Sequence, residues 1–84
     1  MRHIGSLTRT YDRNDGVSLE FTFANGYGAS VIKSSYSYGG KHGLWELAVL
    51  KESSLCYTTH ITDDVLGHLS WEDVENTLDE IKNL

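Results

Sequence analysis

The amino-acid sequence predicts an α+β domain: an antiparallel meander of about five strands, with a short helical turn and a C-terminal amphipathic helix packed on one face. Three observations carry the prediction. Val17, Leu19, Phe21 and Phe23 alternate without a break against Ser18, Glu20, Thr22 and Ala24, the period of a half-buried strand. Asn25-Gly26 follows at once, and that dipeptide favours a tight hairpin because both residues tolerate positive φ. From Ser70 onward the period changes, and Val74, Leu78, Ile81 and Leu84 recur at helical spacing.

The elements follow in chain order. Ser6 to Tyr11 reads as a first strand with Leu7, Arg9 and Tyr11 on one side, and Asp12 to Gly16 as a turn. A two-residue loop at Asn25-Gly26 pairs Ala24 with Tyr27. It therefore sets Phe23 against Gly28, Phe21 against Ser30 and Leu19 against Ile32, with Glu20 diagonal to Lys33. The third strand runs from Tyr27 towards Tyr38, and a glycine-rich connection leads to Leu44–Leu50. Apolar residues occupy both faces of that segment, as in a central strand covered on both sides. Lys51 to Ser54 turns the chain into a fifth strand, Leu55 to Thr59. Thr62 to Leu69 reads as one helical turn, capped by Thr62 or Asp63 and ended by Gly67.

The final helix has Ser70 as its N-cap and Asp73 three positions on, a capping box with the shorter acid. Glu72 and Asp73 lie where the helix dipole favours negative charge, and Lys82 lies at the other end. Glu72, Glu75 and Asp79 are expected on the solvated face, opposite the apolar stripe.

Composition bounds what such a chain can do. Eighty-four residues without a composition break make one domain, residues 1–84, with one modest core. The single cysteine, Cys56, excludes an intramolecular disulfide and a CxxC zinc framework, and suggests a reducing, cytoplasmic setting. No apolar run approaches the ~20 residues of a membrane span. The charge of −5 is unevenly placed: Asp63 to Leu84 holds seven acids against Lys82 alone. Acidic chains repel nucleic acid, so direct nucleic-acid binding is not expected.

In Tyr36-Ser37-Tyr38-Gly39-Gly40-Lys41-His42 the Gly-Lys pair is followed by histidine instead of the Ser or Thr of a P-loop, and no helix follows. His3, His42, His60 and His68 lack the spacing of a metal site. Cys56 reads as a small buried hydrophobe, and helix capping accounts for Asp63 and Asp64. These readings point to a non-enzymatic protein without cofactor or metal. Two surfaces stand out as candidate partner contacts: an aromatic rim of Tyr36, Tyr38 and Trp45, and an acidic surface of Asp63, Asp64, Glu72, Glu75 and Asp79.

The run NGYGASVI, YSYGG and GLWELAVL, followed by ITDDVLGHL and an acidic helix, resembles small acidic proteins encoded in bacteriophage and prophage genomes, from about Asn25 to Leu78. The resemblance implies a phage context and brings no functional residues with it. By analogy with anti-CRISPR proteins, it leads us to expect a protein-binding inhibitor of a host defence complex. Such an inhibitor would act by occlusion, with its acids imitating nucleic acid. The alternative expectation is a structural or accessory module that homodimerises through an exposed sheet face.

Overall fold

The alternating segment forms the strand its pattern predicts. The computed structural model describes residues 1–13, 16–34, 37, 42–62 and 64–84. Strands β1 (Leu7–Arg13), β2 (Gly16–Thr22), β3 (Tyr27–Ser34) and β4 (Trp45–Lys51) form an antiparallel meander in that order. The far edge of β4 is shared by β5 (Ser54–Leu55) and β6 (Val65–Leu69). Helix α1 (Trp71–Lys82) packs on one face, and a 3₁₀ turn at Ile4–Ser6 precedes β1. The α+β class, the antiparallel sheet and the packed helix are those the sequence predicts.

The core lies between α1 and the sheet. Phe21, Val31 and Leu47 from the strands meet Val74, Leu78 and Ile81 from the helix, and all six are fully buried. At about 1.5–3 kcal/mol for each buried side chain of this size, that layer holds the helix to the sheet. β4 is buried on both faces. Leu47 and Val49 face the helix; Ala48 sits between Ser30 and Val65, and Leu50 between Gly28 and Leu55.

The β2–β3 hairpin departs from the expected register by one residue. Phe23 donates its N–H to Tyr27 (2.8 Å) and accepts from Gly26 (3.1 Å), so the loop holds three residues, Ala24, Asn25 and Gly26. Gly26 takes φ +86°, the left-handed residue of a three-residue loop with a bulge. Phe21 therefore opposes Ala29 rather than Ser30, Leu19 opposes Val31 rather than Ile32, and Thr22 opposes Gly28. A one-residue slip exchanges the faces of a strand. Ala29 and Val31 thus enter the core, and Glu20 and Lys33 lie on opposite faces, so the expected diagonal pair does not form. Gly28 crosses the backbone of Phe21 so closely that a Cβ there would collide with the Phe21 carbonyl.

The two-residue turn with positive φ occurs instead between β4 and β5. Glu52 and Ser53 take φ 52° and 68° where Lys51 pairs with Ser54. The Glu52 N–H donates to the Gly26 carbonyl (2.8 Å), tying the two turns together.

Three further expectations are corrected. Thr62–Leu69 is not a helical turn: Val65–Leu69 is a strand, with Leu69 opposite Trp45 and Leu66 opposite Leu47. Between these pairs one residue of β4, Glu46, faces two of β6, Gly67 and His68, a bulge with His68 at φ 57°. The bulge gives Leu66 and Leu69 a spacing of three, which imitates a helix. The fifth strand is shorter than expected, and Cys56 onward lies outside it. In β1, a register shift between Leu7 and Arg9 leaves Leu7 opposite Phe21 on the core face and turns Arg9 and Tyr11 to the open face.

Candidate contact surface

The acidic helix is built from its cap outward. Ser70 Oγ accepts the Asp73 N–H and Asp73 Oδ2 accepts the Ser70 N–H, both at 3.1 Å, completing the capping box. This cap fixes the start of the helix, and Val74, Leu78 and Ile81 fix its inward face. Glu72, Asp73, Asn76, Glu80 and Asn83 then form an exposed outward row. At the far end, Asn25 of the hairpin loop donates through Nδ2 to the carbonyls of Ile81 (2.9 Å) and Lys82 (3.1 Å). Its Oδ1 accepts the Tyr27 N–H (3.0 Å), so one side chain closes both the turn and the helix.

Glu75 is not on the solvated face. It is buried, with its carboxylate held by the Arg2 N–H (3.2 Å), the Arg2 guanidinium and the Trp71 indole N–H. Burial of a carboxylate requires such donors. The Arg2 hydrogen bond holds Glu75 below the usual carboxylate range, and the same bond holds the guanidinium above its ordinary value. Arg2 also donates to Asp79 (2.7 Å) and Asn76 (3.0 Å). His3 Nε2 lies 2.7 Å from Asp79 Oδ1, and its ring packs edge-on against Phe23 at 5.6 Å. Residues 2 and 3 thus strap one flank of α1 and engage two of its acids, Glu75 and Asp79.

Trp45 is half-buried instead of standing free at a rim. Its ring meets Trp71 at 5.1 Å and 60°, and Lys33 Nζ lies 4.8 Å from its centroid. The three close the seam between β4 and the start of α1. Tyr36, Tyr38 and Asp63 lie outside the described residues. Asp64 is exposed, and its N–H donates to Thr62 Oγ1 (3.1 Å) in a turn that leads into β6.

The structure therefore sets Glu72 and Glu80 in one exposed row with Asp73, draws Glu75 inward, and leaves Asp79 half-exposed beside Arg2. Sequence reasoning missed Arg2, His3 and Asn25. Arg2 and Glu75 are 73 positions apart, and no local pattern marks their pairing.

Beside β5 a shallow cavity of about 480 Å³ is lined by Lys51, Leu55, Cys56, Tyr57 and Thr58, among others. Cys56 is buried and joins the core cluster, as its sequence context suggests. Its Sγ lies 3.5 Å from Thr58 Oγ1, a contact that lowers the thiol below its ordinary value. Among the described residues no group of three or more His, Cys, Asp or Glu side chains could hold a metal ion, and no helix is long and apolar enough to cross a membrane.

No protein-family model matches the chain, and no curated protein or solved structure matches it at the similarity required.

Proposed function

We propose that this chain is a non-catalytic binding protein that presents α1 as an acidic contact surface to a basic host protein. The supporting observation is the outward row of Glu72, Asp73 and Glu80 on a capped, firmly docked helix. Charges held on a rigid helix need no ordering when a partner arrives, and a negative row steers encounter with an Arg- and Lys-lined groove. Such grooves bind nucleic acid, so occupancy by α1 would exclude it. The sequence resemblance to phage-encoded proteins supports reading this activity as an anti-CRISPR-like block of a defence complex in an infected host cell.

The contact row is narrower than the composition suggests, because Glu75 turns inward and Arg2, lying against Glu75 and Asp79, offsets one of their two charges. The test is charge reversal at Glu72 and Glu80, which are exposed and outside the cap. A competition assay measures release of a DNA duplex from a host defence complex as the protein is added. Release by the native chain, and its loss in Glu72→Lys/Glu80→Lys with an unchanged circular dichroism spectrum, are expected. Equal release by both proteins would sink the acidic-surface reading.

A further inference from the structure

We propose that β1 pairs edge to edge with β1 of a second copy, in an antiparallel register centred on Thr10, and extends the sheet across a two-fold axis. The inference is independent of the acidic-surface reading, since α1 makes its main contacts with β3, β4 and β6, away from this edge.

β1 ends the sheet and pairs only with β2 among the described residues. Thr8 to Asp12 are all exposed, although they belong to a seven-residue strand. A strand of this length carries a row of backbone donors and acceptors on its outer side, which is a template for another strand.

The direction of those groups follows from the ladder. Antiparallel partners alternate between pairs that exchange hydrogen bonds and pairs that do not. The Phe23 N–H bonds to Tyr27, so Phe21, Leu19 and Val17 turn their backbone groups towards β3, and Ser18 and Glu20 turn theirs towards β1. Arg9 and Tyr11, opposite Glu20 and Ser18, then bond inward. Thr10 and Asp12 point their N–H and C=O groups outward.

Charge selects the register. A two-fold axis through an antiparallel pair sets one residue opposite itself. Centring on Arg9 or Asp12 would oppose like charges, which destabilises a cross-strand pair. Centring on Tyr11 stacks the two tyrosines and leaves Arg9 without them. Centring on Thr10 sets Thr10 against Thr10, a pair that exchanges two hydrogen bonds. The same register sets Arg9 opposite the second copy's Tyr11 and Thr8 opposite its Asp12. Within one chain Arg9 Nη1 already donates to Tyr11 Oη (2.9 Å), so two such pairs would meet on the open face and offer guanidinium–ring contact. The register shift between Leu7 and Arg9 ends the pairable stretch on one side and disfavours slippage.

The test measures mass against concentration by analytical ultracentrifugation for the full chain and two variants. Thr10→Pro removes the outward N–H without breaking the β1–β2 ladder, as proline is tolerated where the N–H of an edge strand faces solvent. Losing both central hydrogen bonds should weaken the dimer about 10- to 100-fold. Thr10→Lys, a surface change with no risk to the ladder, opposes two ammonium groups on the axis and should also weaken it. As a positive readout, Thr10→Cys in a Cys56→Ala background should form a disulfide-linked dimer under mild oxidant. Cα atoms in such a pair are about 5.5 Å apart, within disulfide range. A Tyr11→Cys control, beside the axis, should cross-link poorly. A native chain that stays monomeric at millimolar concentration overturns the proposal. A dimer that survives Thr10→Lys at native affinity overturns it too, by showing that another surface associates.

Discussion

Asn25 should stabilise the domain mainly by closing the end of α1, and only secondarily by shaping the turn in which it sits. Its Nδ2 faces the carbonyls of Ile81, Lys82 and Leu84 at 2.9, 3.1 and 3.4 Å. A primary amide has two N–H donors, so two of these contacts form fully at once. Its Oδ1 accepts the Tyr27 N–H, the side-chain-to-backbone bond of an Asx turn. Asn25→Asp separates the two roles. Aspartate keeps the acceptor and suits the turn, but it cannot donate to the helix and sets negative charge against the negative end of the dipole. Two lost hydrogen bonds at about 0.5–1.5 kcal/mol each, with about 0.3–1 kcal/mol of dipole repulsion, give a destabilisation of about 2 kcal/mol. For a domain of this size that lowers Tm by roughly 8–16 °C. Urea titration followed at 222 nm measures the change. A variant within about 0.5 kcal/mol of the native protein would refute the helix-closing role and leave Asn25 as a turn residue only.

Other outcomes follow from the same contacts. Glu75 is held below its ordinary value of 4.5 by Arg2, so its contribution is present above that value and lost as pH falls through the lower folded-state pKa. Arg2→Gln should therefore be less stable than the native chain at neutral pH and converge with it in acid, as read by urea midpoints across pH. Leu78, fully buried, should cost about 2–5 kcal/mol on truncation to alanine, while Leu55, 58% exposed, should cost less than about 0.5 in the same titration. Ser53→Gly should raise the thermal midpoint, because Ser53 holds φ 68° and left-handed backbone costs a side-chain-bearing residue about 1–2 kcal/mol. Gly28→Ala should lower it, since its Cβ would meet the rigid Phe21 carbonyl.

Local patterns made most elements legible. The alternation in Val17–Phe23 marks β2, and the Ser70–Asp73 box with the stripe through Ile81 marks α1 almost to the residue. What escaped was set by backbone exceptions or by distant partners. Asn25-Gly26 fits both a two-residue and a three-residue loop, and the choice between them sends either Ile32 or Val31 inward. The bulge at His68 gave a strand the apolar spacing of a helix, while Glu52-Ser53 form a positive-φ turn that their residue types do not announce. Of the candidate contacts, the exposed acids Glu72 and Asp64 could be read from the sequence. The inward turn of Glu75 and the stacking of Trp45 on Trp71 could not.

The strap formed by Arg2 and His3 bears on how the acidic helix would meet a partner. Clustered carboxylates on one helix repel each other, and Glu75 could not be buried beside Glu72 and Asp79 without a nearby cation. The Arg2 guanidinium supplies it with three bonds: one to Glu75, one to Asp79 and one to Asn76. One guanidinium offsets one of the two carboxylate charges on this flank, so most of the unbalanced negative charge lies in the row of Glu72, Asp73 and Glu80. This pairing also leaves Arg2 as a competitor to any basic partner side chain that approaches Asp79. Removing Arg2 should then have opposite effects on the two properties: a less stable fold, and a more negative face that meets a basic partner faster at low salt. Stopped-flow association rates for Arg2→Gln measure the second effect. A rate unchanged from the native chain would show that the strap serves the fold alone.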